Sequence, residues 1–307
     1  MSKHQAFPGL AQRFGLNSCA TMLLLTLLSC GGGGSAPTSP GALAGNWQFT
    51  LVRGFPLPRT TTGVSGFLSQ TSNSVAGSVQ IPPSSQNLKC GGVGVLSGAV
   101  DGQTVTLAIN EGGTTINLSG TLSSDGKSMS GNFAGLNGGC YTSPTSGTWT
   151  ASLIPPITGS FTGTITNSLY MTLLTGANPP APIAVSGMLT QVGGTGSSNA
   201  SVTGTITAVD YPCFRTASVS GTISGQNVYL LVFGFDGQQI GEIGAPPSAP
   251  ATVVVQSTGV SLVGANPGTS GLALGGTSVT GSFGPCPAIV TTQGSVPYDQ
   301  AAFTFSF

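Results

Sequence analysis

Ser97-Gly98-Ala99-Val100-Asp101-Gly102-Gln103-Thr104-Val105 returns later as Ser220-Gly221-Thr222-Ile223-Ser224-Gly225-Gln226-Asn227-Val228. The offset is 123 residues, and each copy has a cysteine seven residues upstream, Cys90 and Cys213. A pattern this long, repeated at one offset, marks an internal duplication. Asp101-Gly102 is a two-residue hairpin turn, so each copy reads as strand, turn, strand.

Working outward, the same alternation continues. Trp47, Phe49 and Leu51 share one face of a strand, and Val75, Val79 and Ile81 share another. Val105, Leu107 and Ile109 alternate with polar neighbours, as do Ile116, Leu118 and Leu122. Asp125-Gly126 turns into Ser128–Phe133, and Gly147–Leu153 closes a first unit of eight predicted strands. A second unit answers it in order. Gly187–Gln191 matches Gly66–Gln70, Ser201–Ile206 matches Ser74–Val79, and Ser278–Phe283 matches Ser128–Phe133. Phe303–Phe307 matches the strand from Trp149 to Leu153. From Val105 to Ser128 is 23 residues, but from Val228 to Ser278 is 50. The second unit is therefore expected to carry an insertion near 236–276.

The composition agrees. Charged residues are 5% of 307, whereas Gly (49) and Pro (21) are abundant. The seven basic residues are too few and too scattered for a nucleic-acid footprint. The 39% of hydrophobic residues, arranged with period two, separates the chain from disordered low-complexity sequences. The expected class is all-β: two tandem homologous small antiparallel barrels, up-and-down, with about eight strands each. Two β-sandwiches are the alternative, since strand count and spacing fit both.

Lys3 and Arg13 precede an apolar run from Cys19 to Leu28, the order of a signal peptide. The run ends in Leu27-Leu28-Ser29-Cys30, which resembles the bacterial lipobox. That resemblance implies removal of 1–29 and lipidation of Cys30. Gly31 after the cysteine implies the outer membrane, on its periplasmic or surface face. Residues 30–42 then form a flexible tether. The first β domain is expected at 43–154 and the second at 157–307. Removing 1–29 also removes His4, the only histidine, and leaves five basic and seven acidic residues.

In an exported chain Cys90, Cys140, Cys213 and Cys286 are expected as disulfides. Of the three possible pairings, only Cys90–Cys140 with Cys213–Cys286 stays within the repeats. The Gly-x-Trp start at Gly45 and the Gly-Thr-Trp-Thr close at Gly147 are similar to lipocalin- or avidin-like barrels. That resemblance carries over no ligand residues.

No histidine means no Ser-His-Asp or Cys-His arrangement in the mature chain. Asp101, Asp125 and Asp236 precede glycine, and Glu111 precedes Gly112-Gly113, so these four acids read as turn residues. Neither metal nor cofactor is expected. Two stretches stand out as possible ligand or partner contacts. One is the loop holding Tyr211, Phe214 and Arg215. The other is Val228–Phe235, apolar on both faces through Tyr229, Phe233 and Phe235. The functional expectation is a non-enzymatic, lipid-anchored cell-envelope protein with a binding or structural role. Its partners are the membrane, through the N-terminal lipid, and an envelope protein, a glycan or a small apolar ligand. A small-molecule carrier is one alternative. A carboxylate-dependent polysaccharide hydrolase using Asp210 or Glu242 is the other.

Overall fold

Period-two sequence becomes the wall and the filling of a barrel. The computed structural model describes residues 43–55, 59–82, 91–135, 145–166, 182–211, 214–237, 239–243, 251–256, 259–265, 288–291, 294–297 and 302–307. Cys30, Cys90, Cys140, Cys213, Cys286 and the segment Ser278–Phe283 lie outside them. The described residues contain strands and no helix.

The first domain comprises β1 (Gly45–Phe55), β2 (Arg59–Thr71), β3 (Ser74–Ile81), β4 (Gly92–Asp101), β5 (Thr104–Glu111), β6 (Thr114–Leu122), β7 (Ser128–Gly135) and β8 (Thr145–Ile154). Each strand pairs antiparallel with its chain neighbour, and β1 pairs with β8, so the sheet is a closed up-and-down barrel. One rolled sheet replaces the two facing sheets a sandwich requires. The repeated motif is the β4–β5 hairpin, with Val100 opposite Val105.

The inward residues fill the barrel. Trp47, Phe49, Leu96, Leu107, Leu118, Met129 and Trp149 are all but fully buried. Each indole N–H is satisfied: Trp47 Nε1 donates to the Leu43 carbonyl at 2.9 Å. Trp149 Nε1 donates to the carbonyls of Ser119 and Asn132 at 3.2 and 3.1 Å. Those carbonyls flank Gly120 and Gly131, which face each other across β6 and β7. A Cβ on Gly131 would lie 1.9 Å from the Ser119 carbonyl oxygen. Glycine at such points lets a narrow barrel bend tightly enough to close.

The second domain is one nine-stranded sheet. It comprises β9 (Gly159–Thr166), β10 (Ile183–Val192), β11 (Ala200–Thr207), β12 (Thr216–Ser224), β13 (Asn227–Phe233), β14 (Gln239–Ile243), β15 (Ala251–Gln256), β16 (Gly259–Ala265) and, after a separate hairpin of β17 (Ala288–Thr291) and β18 (Gly294–Pro297), β19 (Ala302–Ser306). Its pairings run from β9 through β10, β11, β12, β13, β15, β16 and β19 back to β9. β14 and β15 share one edge of β13, with Leu230 opposite Ile243 and Val228 opposite Ala251. They are two halves of one stave. Pro250, which has no N–H to give a ladder, stands just before the second half resumes.

The expected insertion at 236–276 therefore includes wall: β14, β15 and β16 all lie in it. The neighbour of the closing strand, the place of β7, is taken by β16. The excess length follows it. Residues 266–301 separate β16 from β19, against 136–144 between β7 and β8. Phe161 stacks on Phe305 at 4.7 Å in the second core, and Phe303 lies 4.8 Å from Phe305. The C-terminal phenylalanines at 303 and 305 thus fill this domain's interior.

Candidate functional site: an interdomain clasp and a polar barrel end

The second copy of the repeated hairpin does more than turn. Its tip, Ser224-Gly225-Gln226, docks on the outer face of β1 and β2. The Asn46 amide reads both backbone groups of Gly225: Nδ2 donates to its carbonyl at 2.8 Å, and Oδ1 accepts from its N–H at 2.7 Å. Gln48 Oε1 accepts from the Gln226 N–H at 3.0 Å. Ser224 donates its hydroxyl to the Ser198 carbonyl, which makes Ser65 the donor in the 2.8 Å Ser65–Ser224 contact. Phe67 donates its N–H to the Ser197 carbonyl at 2.9 Å, and its ring belongs to the second domain's core.

Two glycines make this approach possible. Gly225 sits at φ +55°, and a Cβ there would meet Gln48 Oε1 at 2.2 Å. A Cβ on Gly194 would lie 2.6 Å from the Phe67 ring. The connection between the domains is anchored too, with Ile154 and Ile157 buried in the second core. Sequence reading missed the clasp because Asn46, Gln48 and Ser65 occupy outward positions on strands, where polar residues are expected. The repeat carries one signal for it. Asn46 corresponds in register to Ser160 and Phe67 to Met188, which is 53% exposed.

The residues expected as ligand contacts are not one site. Tyr211 and Phe214 are buried in the second core, edge to face at 5.2 Å, and close the end of that domain where β11 joins β12. Arg215, next to them, is exposed. Tyr229 and Phe233 are half-buried on the outer wall of β13, opposite Thr222 and Ser218. Phe235 is fully exposed in the turn after β13.

Six polar or charged side chains are buried among the described residues: Asn46, Ser65, Glu111, Thr114, Thr145 and Ser261. The first two serve the clasp, and Ser261 meets Ser306 across β16 and β19 at 3.4 Å. The other three lie at one end of the first barrel, opposite the end where β1 begins. Glu111 closes β5 on its inward-facing register, and Thr114 opens β6 directly opposite it. Thr145 opens β8 opposite Gly135. Glu111 Oε1 accepts from the Gly91 N–H at 2.6 Å, whereas Thr145 Oγ1 has no partner. Glu111 thus flanks the Gly112-Gly113 hairpin turn, as its neighbours imply, but with its side chain buried rather than exposed.

The other acids whose side chains are described lie at the surface. Asp101, Asp210 and Asp236 are exposed at turns. Asp125 is exposed as well, and the Ser123 hydroxyl, then the Lys127 N–H, hold its carboxyl below the usual carboxylate range. No group of three His, Cys, Asp or Glu among the described residues is placed to hold a metal ion. No protein-family model matches the chain, and no curated protein matches it.

Proposed function

We propose that this chain is a lipid-anchored protein of the bacterial cell envelope, in which the tandem barrels form a non-enzymatic module held off the membrane by the 30–42 tether. The Leu27-Leu28-Ser29-Cys30 sequence carries this reading. The barrels support the non-enzymatic part. An eight-stranded barrel is just wide enough for side chains to fill it. Here two tryptophans and the aliphatic staves around them occupy the first interior. The clasp supports a structural part, because it turns two domains into one body with fixed spacing.

The disulfides belong to the same proposal. The β3–β4 and β7–β8 connections leave the first barrel at one end, and Cys90 and Cys140 lie in them. Cys213 and Cys286 occupy the corresponding connections of the second domain. Closing loops of this length adds about 4 kcal/mol in the chain-entropy picture.

Mass spectrometry of protein from a bacterial membrane fraction tests the proposal. The expected product begins at Cys30 with acyl chains attached, and a non-reducing digest links Cys90 to Cys140 and Cys213 to Cys286. Cys30→Ser releases the chain from the membrane. An unmodified N-terminus at another residue overturns the lipid anchor, and free thiols at these four positions overturn the disulfides.

A further inference from the structure

The clasp joins unlike surfaces, the hairpin tip of one domain and the β1–β2 face of the other. The duplication gives each surface a counterpart on the opposite domain. In the paired registers Asn46, Gln48, Ser65 and Phe67 correspond to Ser160, Thr162, Ser186 and Met188 on β9 and β10. Gln48 stands opposite Ser65 as Thr162 stands opposite Ser186. The first face is buried or half-buried beneath the second domain, whereas all four residues of the second are exposed. Met188, in the place of Phe67, is 53% exposed, and Val192, further along the same face of β10, is 60% exposed.

The tip has its counterpart too. Asp101-Gly102-Gln103 stands in the place of Ser224-Gly225-Gln226, and both Asp101 and Gln103 are exposed. The barrel ends around the tips also match. Leu43 and Ile157, each wholly buried two residues before the first strand of its domain, donate their N–H groups to Gln70 Oε1 and Gln191 Oε1 at 2.9 and 3.2 Å. The chain thus enters both domains at the same point, one that leaves the second domain's end able to dock. The chemistry of the second pair of surfaces suits contact. Ser65 donates to the Ser224 hydroxyl in the clasp. Ser186 offers the same donor to the Asp101 carboxylate, and a hydrogen bond to a charged acceptor is the stronger kind. Met188 supplies the apolar anchor that Phe67 supplies in the clasp.

We infer that a second copy of this chain docks the Asp101–Gln103 tip of its first barrel on the β9–β10 face, so that copies associate head to tail by the relation that joins the two domains. A contact between unlike surfaces, both carried by one molecule, continues from copy to copy unless the rotation closes a ring. This goes beyond the envelope-protein reading and does not depend on lipid at Cys30.

Sedimentation velocity of the full chain in a non-ionic detergent tests it. The weight-average mass should rise with concentration past that of a dimer. Met188→Lys spoils the face and Asp101→Lys the tip, and each should weaken association about tenfold or more, as an unpaired charge in an interface predicts. Both positions are exposed, and Met188→Gln replaces the first variant if it fails to fold. The deciding measurement mixes the two variants. One keeps its tip and the other its face, so together they should form a dimer and grow no further. A monomer at every concentration, undiminished association in Met188→Lys, or a mixture that behaves as its separate parts overturns the inference.

Discussion

Gly225 shows how much one residue does here. Its φ of +55° is matched by Gly102 at +56°, so the two hairpin tips have the same backbone. Only the second is read by Asn46. Ala at either position pays the left-handed penalty of about 1–2 kcal/mol. At 225 the new Cβ also meets Gln48 and Ser65. Gly225→Ala is therefore expected to lower stability by more than Gly102→Ala, with an excess of about 1–3 kcal/mol from clasp groups left unpaired. Paired denaturant melts measure the difference, and equal losses would remove the clasp's energetic role. Asp125 offers a second check at this scale. A carboxyl held low in the folded state contributes stability that is complete above its ordinary value and is lost as pH falls through the folded one. A titration followed by NMR should place Asp125 below the ordinary carboxylate midpoint, and Ser123→Ala should bring it back up.

Among elements, strands and hairpins were the most legible feature of the sequence. Alternation of Val105, Leu107 and Ile109 with polar neighbours specifies one buried face, and a one-residue slip would expose it. Asp101-Gly102 and Asp125-Gly126 mark tips wherever they occur. What escaped reading was anything that depended on a partner far away in sequence. The stave shared by β14 and β15 is broken between Ile243 and Ala251, and only the common edge of β13 reveals its unity. Tyr211 and Phe214 sit between exposed residues in the chain, yet they plug a core. Glu111 flanks a turn, as its neighbours imply, yet its register buries the side chain. Closure was equally hidden, because mid-strand glycines weaken a strand on propensity alone. Gly131→Ala is expected to cost about 3 kcal/mol, since backbone lies where its Cβ would go. A thermal melt by circular dichroism checks this, and an unchanged midpoint would show that β6 and β7 do not need the close approach.

For the whole molecule, duplication and divergence together explain the architecture. The same eight-stave plan occurs twice, but the faces and ends of the copies differ. The first copy carries the clasp face, Asn46, Gln48, Ser65 and Phe67, and the polar end at Glu111. The second carries the clasp tip and the aromatic plug. Because the Phe67 ring lies in the second core, unfolding one barrel exposes part of the other. All the clasp side chains that hydrogen-bond are uncharged, so salt should leave the coupling unchanged. Differential scanning calorimetry of the intact chain tests this coupling most directly. The expected result is one transition whose calorimetric and van't Hoff enthalpies agree, splitting into two when Asn46 is changed to Ala. Two separate transitions in the unaltered chain would contradict it.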